Sequence, residues 1–119
     1  MYSLKVELSF SAAHNLRGYK GKCEELHGHN WEIEMVVSKN APDKTGMVAD
    51  FTYLKVELNR VLEKLDHKYL NNIPYFKKNN PTSENIAKYI YDCLEVRLSG
   101  VRSITVWESD KCCATYEKL

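Results

Sequence analysis

Two segments of the chain alternate polar and apolar residues with a period of two, and each carries histidine at one end. In residues 2 to 14, Val6, Leu8, Phe10, Ala12 and His14 share one parity, while Lys5, Glu7, Ser9 and Ser11 share the other. In residues 27 to 38, His27, His29, Trp31, Ile33 and Met35 fall on one parity, and Asn30, Glu32 and Glu34 on the other. Successive side chains of a strand point to opposite faces, so this pattern specifies two half-buried strands. If they pair antiparallel, the end of the first meets the start of the second. Three of the chain's 4 histidines then converge at one end of the hairpin, on its less polar face. The connection, residues 15 to 26, is long for a hairpin and carries Cys23. Ordered loops of that length are often functional.

The remaining chain changes period. From Phe51, the residues Leu54, Leu58, Val61, Leu62 and Leu65 form a stripe at helical spacing, with Asp50 as N-cap. The stretch "LDHKYLNNIP" ends that helix. A second helix opens at "NPTSEN", where Thr82 or Ser83 caps and Glu84 suits the positive end of the dipole. Ile86, Ala87, Ile90, Cys93, Leu94 and Leu98 trace its buried face, and Gly100 is its expected terminator. Two strands, "VRSITVWES" and "KCCATYEKL", close the chain around a tight turn near Asp110. The order ββααββ predicts an α+β fold, a four-stranded antiparallel sheet with two helices on one face. A length of 119 residues without repeat or linker predicts one domain, 1–119.

Composition narrows the function. A formal net charge of +1 argues against a dedicated nucleic-acid binder. No apolar run approaches the roughly 20 residues that span a bilayer. The opening "MYSLKVELSF" alternates and offers no signal-peptide core. A cytoplasmic protein with neither nucleic-acid nor membrane partner is expected. Cys23, Cys93, Cys112 and Cys113 lack C-x-x-C spacing, which argues against a zinc ribbon or a thioredoxin-type motif. In a reducing compartment they are expected as free thiols, with Cys112 and Cys113 on opposite faces of a strand.

Three imidazoles at one strand end suit Zn2+, which takes neutral imidazole nitrogen and keeps an open position in catalytic sites. H-x-H alone is a weak signal, because polar residues at a strand end are usually just solvated. His14 on the matching parity shifts the balance toward the metal. Cys23 could join the three imidazoles to complete a closed structural site, or stand beside an open metal position as a thiolate base. Its polar context, "YKGKCEEL", disfavours a buried apolar role, and spacing leaves the first two open. Asp66 and His67 form an acid–base pair or, more simply, a histidine complementing a helix C-terminus. Glu108 shares parity with Ile104 and Val106, which predicts a buried carboxylate needing a partner such as the amide-like edge of a heterocycle. A plain turn carboxylate is the simpler alternative.

Six blocks, "FSAAHNL", "CEELHGHNW", "TGMVADFTYLK", "LDHKYLN", "NPTSENIAKYI" and "VWES", occur in that order along essentially the whole chain. Together they resemble the 6-pyruvoyltetrahydropterin synthase family, which includes the 6-carboxytetrahydropterin synthases. The resemblance implies the tunnelling fold, in which three sheets close a twelve-stranded barrel. Two barrels would stack as a homohexamer, a dimer of trimers with active sites between subunits. It implies His14, His27 and His29 as the Zn2+ ligands, and Cys23 as the base that abstracts a proton, helped by Asp66 and His67. Glu108 would anchor the pterin ring, with Thr82 and Ser83 near the same pocket. Arg17, Lys20 and Lys22 are the nearest cations to Cys23 for a triphosphate.

The C-x-x-x-H-G-H spacing is similar to that of bacterial and archaeal 6-carboxytetrahydropterin synthases. Pyruvoyl enzymes more often place extra residues between cysteine and histidine, and an aldolase-like branch has glutamate for the cysteine. The implied reaction converts 7,8-dihydroneopterin triphosphate to 6-carboxy-5,6,7,8-tetrahydropterin, acetaldehyde and triphosphate, on the route to queuosine and other 7-deazapurines. The alternatives are the pyruvoyl product, or a non-catalytic module with structural zinc.

Overall fold

A computed structural model describes residues 1–20 and 24–119. The two alternating segments form β1 (Tyr2–His14) and β2 (His27–Lys39), paired antiparallel from Tyr2↔Lys39 to His14↔His27. This register puts Val6, Phe10, Ala12 and His14 on the same buried face as Trp31, Ile33, Met35 and Val37. A slip of one residue would turn every one of them outward, so the alternation itself specifies the register. Burying a large aliphatic side chain such as Ile33 contributes roughly 1.5–3 kcal/mol.

Asp50 caps α1 (Phe51–Leu62), its carboxylate accepting the Thr52 N–H at 2.8 Å. The helix stops at Leu62, and Leu65 of the predicted stripe is buried in the turns beyond it. Here the chain departs from expectation. Residues read as a helix end make β3 (Lys68–Tyr69), which runs parallel to β1 at Ala12 and Ala13. A 3-10 turn (Leu70–Asn72) and a short helix, α2 (Pro74–Lys78), follow, with Pro74 pre-set for the first helical position. The sheet therefore has five strands, not four, and is mixed rather than antiparallel.

Thr82 caps α3 (Ser83–Glu95), accepting the Asn85 N–H at 3.1 Å, and Ile86, Ala87, Ile90 and Leu94 are buried beneath it. Cys93 is half-buried, and Leu98 is buried beyond the helix end. Gly100 does not terminate α3. It serves the turn into β4 (Val101–Trp107), at φ +84°, where a Cβ would stand 3.1 Å from the Ser38 carbonyl oxygen. β5 (Cys113–Glu117) pairs antiparallel with β4 and completes the order β3-β1-β2-β4-β5. Cys112 lies just ahead of β5, so only Cys113 is a strand residue, and both are exposed. The helices α1 and α3 pack on one face, against β1 and against β4 and β5. No helix among the described residues is long and apolar enough to cross a membrane.

Candidate metal centre and active site

The β1–β2 register ends on the pair His14↔His27, and His29 shares their face two residues along. One ring nitrogen from each of the three lies within 4.8 Å of the others. Trp31 underlies them, its ring edge-on to His14 at 4.9 Å and to His29 at 5.1 Å between centroids. The indole is itself fixed, donating from Nε1 to the Ala12 carbonyl at 3.3 Å.

The hydrogen bonds decide what these rings offer. His14 Nδ1 donates to the Pro81 carbonyl at 2.8 Å, and His27 Nδ1 donates to the Glu25 carbonyl at 2.9 Å. A carbonyl only accepts, so in the neutral rings both protons sit on Nδ1 and both Nε2 atoms keep a lone pair. Those two Nε2 atoms are 3.1 Å apart. Two lone pairs facing each other repel unless a cation lies between them. His29 Nε2 is buried with no hydrogen-bond partner among the described residues, a situation that costs about 1–3 kcal/mol. Burial is the largest cause holding His14 below its ordinary pKa; the Pro81 bond opposes it, His27 lowers it further, the Glu108 carboxylate opposes, and His29 lowers it. His14 thus stays neutral, as a ligand must. Two oriented lone pairs and one orphaned buried nitrogen fit a zinc ion bound by three imidazoles.

Glu108 follows the last residue of β4, and its carboxylate lies 3.7 Å from His29 Nε2 and 4.0 Å from His14 Nε2. The sequence placed it on a buried face, but its side chain is 39% exposed. The strand stops at Trp107, so parity no longer governs the next side chain. Its N–H donates to the Cys112 carbonyl at 3.2 Å, which turns Glu108 back over the histidines. Thr82 and Ser83 begin α3 directly after Pro81, the residue that holds His14. The helix start therefore borders the same site.

Asp66 and His67 lie past the end of α1, so the helix-dipole explanation loses its helix. Asp66 Oδ1 accepts the Ser11 N–H at 2.9 Å and stands 3.1 Å from His67 Nδ1. The Ser11 bond is the main reason the carboxyl is held below its usual range. His67 has φ +58° and donates its N–H to the Ser11 carbonyl at 2.6 Å. Its ring is exposed and lines a surface groove of about 520 Å³ together with His29, Gly28 and Tyr69. His67 and a candidate metal ligand thus share one cleft.

Cys23 and Lys22 lie outside the described residues. Arg17 spends Nη2 on the Phe76 carbonyl at 2.6 Å, and Lys20 Nζ sits 5.4 Å from the Tyr19 ring centroid. Both cations are engaged locally. Cys93, Cys112 and Cys113 are free thiols. Sequence reasoning missed Pro81, whose carbonyl orients His14, and Asn71 and Asn80, whose amides hold the start of the loop. The available signal was asparagine beside predicted element ends, which ordinary turn chemistry also explains.

Similarity to known proteins accords with this geometry. A 6-carboxy-5,6,7,8-tetrahydropterin synthase of Synechocystis sp. is 38% identical, over 98% of this chain and 93% of its own. A dihydroneopterin monophosphate aldolase of Pyrococcus furiosus is also 38% identical, over 87% of this chain and 86% of its own. The structure of Caenorhabditis elegans 6-pyruvoyl tetrahydropterin synthase superposes with a TM-score of 0.87 at 28% identity, covering 99% of this chain and 96% of that one. The fold is the tunnelling fold. With the family model for 6-pyruvoyl tetrahydropterin synthase matching residues 3–119, the chain belongs to that family of pterin enzymes.

Proposed function

We propose that the chain is a zinc-dependent 6-carboxytetrahydropterin synthase, converting 7,8-dihydroneopterin triphosphate to 6-carboxy-5,6,7,8-tetrahydropterin, acetaldehyde and triphosphate, on the route to queuosine and other 7-deazapurines. The observation that carries the reading is the convergence of three ring nitrogens, with the Nδ1 protons of two rings committed to backbone carbonyls. Held by His14, His27 and His29, zinc would supply Lewis acidity toward the hydroxyls of the substrate side chain.

The chain's own residues do the rest. Cys23, four positions ahead of His27, is the proposed base, and its place rests on the C-x-x-x-H-G-H spacing. Asp66, 3.1 Å from His67 Nδ1, orients that imidazole, which suits the pair to proton transfer. Glu108 is the proposed pterin anchor, since a carboxylate accepts two N–H donors from one heterocycle edge. Thr82 and Ser83 would wall the same pocket. We further propose a homohexamer, a dimer of trimers with active sites between subunits. Beyond Ala12 and Ala13, the outer edge of β1 has no strand partner among the described residues, and long open edges are usually covered. Three free thiols suit the reducing cytoplasm.

A carboxytetrahydropterin synthase and an aldolase share the same 38% identity with this chain, so identity alone does not choose the product. The cysteine and its spacing favour the carboxy enzyme over the aldolase. The test is to give the zinc-loaded protein dihydroneopterin triphosphate and measure products. Acetaldehyde and triphosphate in equal amounts are expected, because acetaldehyde forms only when the side chain is cleaved between carbons. Triphosphate without acetaldehyde would point instead to the pyruvoyl synthase. Neither product, with zinc bound, would leave a structural zinc module.

A further inference from the structure

β1 ends at His14, but the residues after it go on pairing on both edges. On one edge, Asn15 donates its N–H to Asn71 Oδ1 at 3.0 Å, and Asn71 Nδ2 donates back to the Asn15 carbonyl at 2.8 Å. Two residues on, Arg17 donates its N–H to Asn80 Oδ1 at 2.9 Å, and Asn80 Nδ2 donates to the Arg17 carbonyl at 3.0 Å. A side-chain amide carries the same donor and acceptor as a peptide group, so each asparagine stands in for one residue of a missing neighbour strand. On the other edge, Leu16 takes the Glu24 N–H at 2.8 Å and donates to Glu24 Oε1 at 3.3 Å. That carboxylate is also 3.7 Å from His27 Nδ1.

We infer that Asn71 and Asn80 are positioning residues of the active site, their amides prolonging the edge of β1 past His14 to hold the stem of the loop between the metal ligands. Both clamps are themselves anchored. Asn71 is 8% exposed, and the Asn80 carbonyl accepts from Asn85 Nδ2 at 2.8 Å. The residue after Asn80 is Pro81, which orients His14. One short stretch therefore sets a metal ligand and the loop that leaves it, and the spacing between them depends on it.

This rests on the proposed function, and the experiment separates the two. Asn71→Asp and Asn80→Asp keep size and acceptor but set an oxygen against the Asn15 or Arg17 carbonyl. In the zinc-loaded variants, kcat should fall roughly 10- to 100-fold with KM nearly unchanged, as expected when reacting groups are misplaced. Amide exchange of residues 15–17 should quicken at least tenfold, with the amides of β2 and β4 unchanged and zinc content full. A kcat within about twofold of native in a folded, zinc-loaded variant would overturn the inference. Exchange that rises throughout the sheet would overturn it in favour of a purely structural role. Should either aspartate variant fail to fold, Asn71→Ser and Asn80→Ser remove the clamp without the repulsion, and the same outcomes apply. Failure of those to fold would also mean a structural role. If the native protein itself has no turnover, the proposed function falls and takes this role with it. An active native enzyme with unaffected variants removes the positioning role alone.

Discussion

Two clusters of ionisable side chains, each formed around one buried member, Glu57 or His14, are built differently. On α1, Glu57 is 4% exposed, with Oε1 at 3.5 Å from both Arg60 Nε and Arg97 Nε. Opposite charges face each other there, one carboxylate between two guanidinium groups, although Glu57 Oε1, Arg60 Nε and Arg60 Nη2 have no hydrogen-bond partner among the described residues. At the end of β1 and β2, three imidazoles present nitrogens to one another, with the Glu108 carboxylate near His14 and His29 and the Glu24 carboxylate near His27. Nothing among the described residues fills the centre of that group. The first cluster pairs charges within the chain. The histidine group, kept in place by Trp31, Pro81 and the strand register, could hold a metal ion.

Substitutions should separate the two clusters sharply. His27→Ala or His29→Ala should lose bound zinc and abolish turnover, because two imidazoles hold the ion poorly. The metal-free stability of His29→Ala should stay close to native, since His29 Nε2 contributes no hydrogen bond to the fold, while His27→Ala also loses the exposed bond to the Glu25 carbonyl. Metal analysis alongside urea unfolding checks both halves, and full zinc content in either variant would remove the assigned ligands. Glu57→Gln should behave in the opposite way, keeping zinc and turnover while losing about 2 kcal/mol of stability. Breaking a buried pair costs more, but Arg97 is 58% exposed and solvent screens its share.

Asp66 should give the smallest effect on stability, with a pH signature. Its carboxyl is held below the ordinary value of 3.8, chiefly by the Ser11 N–H. A depressed carboxyl stabilises the fold when ionised, so its contribution is present above that ordinary value and is lost as pH falls through the folded one. The difference in Tm between native and Asp66→Ala should therefore be steady near neutrality and shrink in acid below pH 3.8. A difference that stays constant into strong acid would mean that the Ser11 bond does not matter.

The same contrast explains what could be read in advance. β1 and β2 were legible because thirteen residues of alternation leave one register, and the histidines were legible because they obey its parity. β3 was not, since two residues cannot display a period. The ends of α1 and α3 were overrun because Leu65 and Leu98 are buried by tertiary packing just past them, where helical spacing still fits by coincidence. Glu108 reached the site by a turn rather than by strand parity. Asn71 and Asn80 act through side-chain amides in irregular backbone, which leaves no pattern to find.

The central claim is that three imidazole nitrogens of this chain hold a zinc ion. X-ray absorption at the zinc edge of the native protein, with metal content measured on the same sample, tests it most directly. The expected result is about one zinc per chain, with three imidazole nitrogens at about 2.0–2.1 Å. A protein that retains no zinc, or a zinc with fewer than three imidazole ligands, would contradict it.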